Sequence, residues 1–159
     1  MSTYINFRDI VIYTIILYFL YKGFFKASKK YNDYIYRSIG YGMIFKKSKE
    51  IEILLQGLKD DRLTKYNMYG LLINISSLYY SKKDYANAIT HFEKGMNIIY
   101  NEEFCFDKYY IKMLGCYILQ GQKEKAIDLY NNLVPRQRYD IKFRKLETNF
   151  KFLDNLEKR

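Results

Sequence analysis

The residues best equipped for chemistry are few. His91, Cys105 and Cys116 are the chain's one histidine and two cysteines. Thiolates and imidazoles hold zinc, but a structural site takes about four such ligands, and these three fall short. Two cysteines are also too few for a disulfide framework. The expectation is two buried thiols and a surface imidazole. Paired carboxylates, the usual instruments of general acid–base catalysis, occur as Asp60–Asp61 and Glu102–Glu103. Both fall in connections, where they read as solvated turns. There is no glycine-rich phosphate loop, no nucleophile elbow and no metal-spaced cluster. The sequence therefore predicts a protein that is not an enzyme, with no cofactor, no metal and no small-molecule substrate.

What remains is binding. A net charge of +10, from 27 basic and 17 acidic residues, would draw nucleic acid or an anionic membrane. Composition weakens that inference. Phe, Tyr, Met, Ile, Asn and Lys make up 85 of 159 residues, against 20 for Gly, Ala, Arg and Pro. The first set has A/T-rich codons, so the lysine excess fits an AT-rich genome such as a mitochondrial or AT-biased bacterial one. Nucleic acid is a minor expectation. Charge is also uneven: residues 1–46 carry seven basic and two acidic residues, 134–159 eight and four, and 47–133 twelve and eleven.

The elements that would position a binding surface begin with an apolar run. IVIYTIILYFLYKGFF, residues 10–25, has Lys22 as its only charge. Sixteen helical residues reach about 24 Å, short of the ~30 Å hydrocarbon layer, and Tyr4, Ile5 and Phe7 extend the apolar character. No polar stripe runs along Ile10 to Tyr21, as it would on a helix covering a soluble core. The bulky, basic LYKGFFKASKK that follows argues against signal-peptide cleavage. The expectation is an N-terminal transmembrane helix built on Ile10, Ile12, Ile15, Ile16, Leu17, Phe19 and Leu20. It would anchor a single-pass protein in a mitochondrial or bacterial inner membrane, with the lipid bilayer as a partner. The lysines after it would hold the bulk of the chain on the matrix or cytoplasmic side.

Further on, two stretches repeat: LLINISSLYYSKKDYANAITHFEKGMNII (71–99) and YYIKMLGCYILQGQKEKAIDLYNNLVP (109–135). Aligning Ala88 with Ala126 pairs Tyr79 with Tyr117, Phe92 with Tyr130, Ile75 with Met113 and Leu72 with Tyr110. This resembles the tetratricopeptide repeat, whose pattern is a large residue, Leu-Gly, Tyr, then Ala-x3-Phe. A small alanine lets the second helix of a pair approach the first, and the aromatic one turn later fills the groove. Polar turns stand at SKKD (81–84) and QGQKEK (120–125), with Gly121 suited to a left-handed C-cap. The offset, from Ala88 to Ala126, is longer than the family's repeat of about 34 residues. Ser76 and Leu114 stand in the glycine slot.

The chain thus divides into an anchor with its basic flank (1–30), a linker or degenerate first hairpin (31–66), two helix pairs (67–135) and a capping helix (136–159). Lys49 to Leu58 would be the second helix of a worn earlier repeat. Phe143, Leu146, Phe150, Leu153 and Leu156 would line the cap. The fold class is all-α: an N-terminal transmembrane helix, then a short solenoid of tetratricopeptide-like hairpins. The resemblance implies a partner groove on the first helices, near Asn74, Tyr80, Lys108 and Lys112. An asparagine with two lysines would match part of a carboxylate clamp. The implied function is a membrane-anchored scaffold or accessory subunit that docks other protein subunits. The alternatives are a peptide-binding receptor at the membrane and an RNA-associated ribosomal subunit.

Overall fold

Apolar residues recur at helical spacing, and the chain answers with helices. The structure is a computed structural model and describes residues 6–24 and 30–150. Among the described residues there are eight α-helices: α1 (Phe7–Phe24), α2 (Tyr31–Met43), α3 (Lys47–Gly57), α4 (Lys65–Ser81), α5 (Tyr85–Ile99), α6 (Tyr109–Leu119), α7 (Lys123–Leu133) and α8 (Arg144–Phe150). Short 3-10 turns at Val134–Arg138 and Ile141–Phe143 lead into α8. The fold is all-α and compatible with a helical repeat. The expected cap residues Leu153 and Leu156 lie outside the described residues.

The expected transmembrane helix is overturned. Among the described residues no helix is long and apolar enough to cross a membrane. The 18 residues of α1 include Arg8, Asp9 and Lys22. The uncharged stretch between them, Ile10 to Tyr21, is about 18 Å long, well under the ~30 Å hydrocarbon thickness. The single-pass topology and the inner-membrane placement built on it fall with it. What the structure shows at Ile10, Ile12, Ile15, Ile16, Leu17, Phe19 and Leu20 is a helix with its apolar side chains exposed.

At three turns the backbone repeats itself. Phe45, Lys83 and Gly121 have φ of 59°, 62° and 69°, and they recur at the interval that separates Ala88 from Ala126. Their amides donate to the carbonyls of Gly42, Tyr80 and Ile118 at 2.9, 2.9 and 3.0 Å. The next amides, of Lys46, Asp84 and Gln122, donate to Tyr41, Tyr79 and Tyr117 at 3.0, 3.0 and 2.9 Å. One helical turn on, Glu50, Ala88 and Ala126 donate to Lys46, Asp84 and Gln122, opening the following helix. A left-handed residue just past a helix end lets its amides reach back to the last carbonyls, which is why the chain can reverse here. The pairs α2–α3, α4–α5 and α6–α7 are therefore joined by one turn design that recurs with a constant period. Side chains follow the same count. Tyr34, Leu72 and Tyr110 are buried, as are Ser38, Ser76 and Leu114, and Leu54, Phe92 and Tyr130.

The chain packs as two units, Met1–Leu78 and Tyr79–Arg159. In the first, α3 lies close to its neighbours at Gly57. A Cβ there would stand 2.8 Å from Leu71 Cδ1 and 3.0 Å from the Tyr34 ring. Glu50 occupies the slot that Ala88 and Ala126 fill in the later pairs. Its carboxylate lies over Gly42, where a Cβ would come within 2.9 Å of Oε2. Glycine on the first helix thus makes room for a long side chain on the second. In the second unit, Ala88, Phe92, Tyr110, Met113, Ala126, Tyr130, Phe143 and Leu146 form the core. The Tyr110 and Phe143 rings stack at 6.1 Å, flanked by Phe104 and Phe106 from the α5–α6 connection. Arg136 reaches into that connection. It donates to the Glu102 carbonyl at 2.7 Å and the Tyr100 carbonyl at 2.8 Å, and its guanidinium stacks 4.1 Å from the Phe104 ring centre.

Candidate partner-binding surface

Two of the four expected groove residues meet. Tyr80, in the last turn of α4, packs its ring 5.7 Å from Tyr85 and 6.2 Å from Tyr109. Lys112, one turn into α6, holds its ammonium 5.5 Å from the Tyr80 ring centre, a cation–π distance. Lys108 is the N-cap residue of α6 and is exposed. It stands one helical turn before Lys112, so both rise on one side of the helix. The first turn of α6 contains no acidic residue, although Asp107 just before it accepts from the Tyr109 amide at 2.8 Å. The result is a patch of two exposed cations beside the half-buried rings of Tyr80 and Tyr85, with the buried Tyr109 ring beneath Tyr80. Asn74, in the first unit, turns its amide onto its own helix and donates to the Gly70 carbonyl at 2.7 Å.

On the other helices of the second unit, α5 and α7 enclose an open groove of about 730 Å³. Phe92, Met96 and Leu129 give it an apolar floor. At one end Glu93 Oε1 accepts from the Tyr117 hydroxyl at 3.0 Å and from Lys125 Nζ at 2.8 Å. Burial, then the charge of Glu93, raises the Tyr117 pKa far above its ordinary value, so its hydroxyl stays a donor.

The candidates for chemistry lie apart. His91 stacks on Tyr79 at 5.2 Å and its Nδ1 lies 2.9 Å from the Asn87 carbonyl oxygen. Cys116 is buried, and burial pushes its thiol up to about 11. Cys105, expected to be buried, is exposed, because it sits in the extended α5–α6 connection between Phe104 and Phe106, whose rings turn inward. No three His, Cys, Asp or Glu side chains gather to hold a metal ion among the described residues.

Asp60 is the residue that departs furthest from its sequence expectation. It is not a solvated turn carboxylate but is buried. It accepts from the Tyr34 hydroxyl at 2.9 Å and, through both oxygens, from the Arg62 guanidinium at 2.7 and 2.6 Å. The Arg62 hydrogen bonds, and then that of Tyr34, hold its carboxyl well below the usual carboxylate range. The clasp fixes the α3–α4 connection to α2. The D-x-R spacing of Asp60 and Arg62 is its one visible sign in the sequence.

No protein-family model matches the chain, and no curated protein matches it in sequence.

Proposed function

We propose that this chain is a non-enzymatic helical scaffold of tetratricopeptide-like hairpins that docks other protein subunits. The observation that supports it is the threefold recurrence, at one constant interval, of turn and core slots at Phe45, Lys83 and Gly121. Repeats of this kind spend their residues on a continuous core and leave extended helix faces for partners. The docking face is the α6 patch. Lys108 and Lys112 attract carboxylates, while the half-buried rings of Tyr80 and Tyr85 supply aromatic surface beside them, so the partner is an acidic protein segment. Tyrosine suits a binding face because its rigid ring brings contact area at small entropic cost, and the lysines beside it supply the charge that selects a carboxylate.

The test is native purification of the tagged chain, with partners identified, beside the Lys108→Glu/Lys112→Glu variant. The expected result is stoichiometric recovery of a protein partner by the wild type and its loss from the variant, with helicity by circular dichroism unchanged. Equal capture by the variant would overturn the patch. Recovery of nucleic acid instead, with binding that weakens steeply with salt, would overturn the protein-docking role.

A further inference from the structure

Counting back one repeat period from α3 places its slots on α1. The positions of Glu50, Ile51, Leu54 and Leu58 become Ile12, Tyr13, Ile16 and Leu20. In α5 the same slots are Ala88, Ile89, Phe92 and Met96, which are 0%, 4%, 1% and 6% exposed. In α1 they are 43%, 62%, 46% and 38% exposed. α1 also stands where a second helix should. It precedes α2 as α5 precedes α6, and Phe19 packs its ring edge 6.4 Å from Tyr36 of α2. So α1 has the neighbour that follows a second helix, while the face that its first helix would cover lies open among the described residues.

We infer that this face is covered by α1 of a second copy of the chain, each α1 filling the open first-helix slot of the other. The slot requires an apolar helix of matching length, and α1 itself is one. A face that pairs with its own copy forms a closed two-fold dimer, which covers both faces at once and leaves nothing to propagate. The area is sufficient. The dozen large apolar residues exposed from Phe7 to Tyr21 present on the order of 100 Å² each. A neighbouring helix covering half of that buries about 1,200 Å² over the two copies, the lower end of the range for stable interfaces. The inference rests on the repeat register and not on the α6 patch.

Sedimentation velocity of the full chain over a wide dilution series tests it, because the readout is oligomeric state and not partner capture. The wild type should sediment as a dimer of the 19.3 kDa chain. Ile12→Asp/Ile16→Asp should give a monomer of unchanged helicity, and Ile12→Leu/Ile16→Leu should remain dimeric. Leu119→Asp, at an exposed leucine on α6, should leave the dimer intact. Three results would each overturn the pairing: a wild type that is monomeric throughout, a dimer that survives the double aspartate variant, or one that Leu119→Asp dissolves equally. Partition of the wild type into phosphatidylcholine vesicles with loss of self-association would do the same, assigning the face to lipid.

Discussion

Lys83 and Gly121 adopt the same left-handed backbone conformation one repeat period apart, φ 62° and 69°, although only one of them is glycine. A side chain in that region costs roughly 1–2 kcal/mol, offset in part by glycine's larger loss of freedom on folding. Lys83→Gly should therefore stabilise by about 0.5 kcal/mol, and so should Phe45→Gly, whose side chain is almost wholly exposed. Gly121→Ala should destabilise by about 1 kcal/mol. Urea midpoints read this directly, with slopes unchanged if only the turn is affected. Loss of stability in both glycine variants would show that the turn is set by something other than its backbone.

The Asp60 clasp predicts an acid limb. Its folded pKa is depressed by Arg62 and Tyr34, while the unfolded value is about 3.9. The stabilisation is therefore complete above pH ~4 and drains away as pH falls toward the folded value. Asp60→Asn should lower stability at neutral pH and flatten its fall below pH ~4. Arg62→Ala should also lower the urea midpoint, because it strips the buried carboxylate of both charged hydrogen bonds. Parallel pH profiles for wild type and Asp60→Asn would rule out the linkage.

Glu50 and Gly42 should be energetically coupled. Burial raises the Glu50 pKa, with Lys47 and a hydrogen bond from Ser38 opposing the rise. A raised carboxyl pKa disfavours folding above that pKa, so Glu50→Ala should stabilise more at pH ~7 than at pH ~4. Gly42→Ala alone crowds the Glu50 carboxylate. In the Glu50→Ala background that obstacle is gone and alanine's helix preference of about 1 kcal/mol is realised. A double-mutant cycle in urea should return a coupling of about 0.5–1 kcal/mol. Additive effects would mean the carboxylate moves aside without cost.

These residues also mark how far the sequence can be read. Ala88 with Phe92 and Ala126 with Tyr130 announce two helix pairs because small-then-aromatic spacing has a packing reason visible in one dimension. Gly121 announces its turn because glycine is the residue a left-handed cap favours. The first pair is hidden by the same logic. Glu50 stands in the alanine slot and Phe45 in the glycine slot, and it is the recurrence of Tyr41, Tyr79 and Tyr117, and of Ile51, Ile89 and Ile127, that betrays the period. Asp60 looks solvated until Tyr34, far away in the chain, closes over it. The apolar run of α1 misleads for a different reason. Its lack of a polar stripe points to lipid, but Arg8, Asp9 and Lys22 belong to the same helix and shorten the apolar stretch. At the patch, Tyr80 and Lys112 lie in contact, whereas the Asn74 amide turns to its own backbone, a local competition that spacing does not reveal.

The longer period has its own support in Arg136, which gives the last prediction. The α5–α6 connection runs from Tyr100 to Lys108 without regular structure, and Arg136 satisfies two of its carbonyls while stacking on Phe104. Its fork also reaches the Asn132 side chain and the Tyr139 hydroxyl, at 3.3 and 3.0 Å. Lysine keeps the charge but is a point donor without a planar face, so it cannot hold both carbonyls and stack at once. Arg136→Lys should cost about 2 kcal/mol. It should speed amide exchange across residues 100–108, where the Phe106 amide is held by Asp140 at 2.8 Å. Exchange in α2 and α3, which belong to the other unit, should not change. Uniform acceleration in both units would show that the clamp supports global stability and not the connection that sets the repeat length.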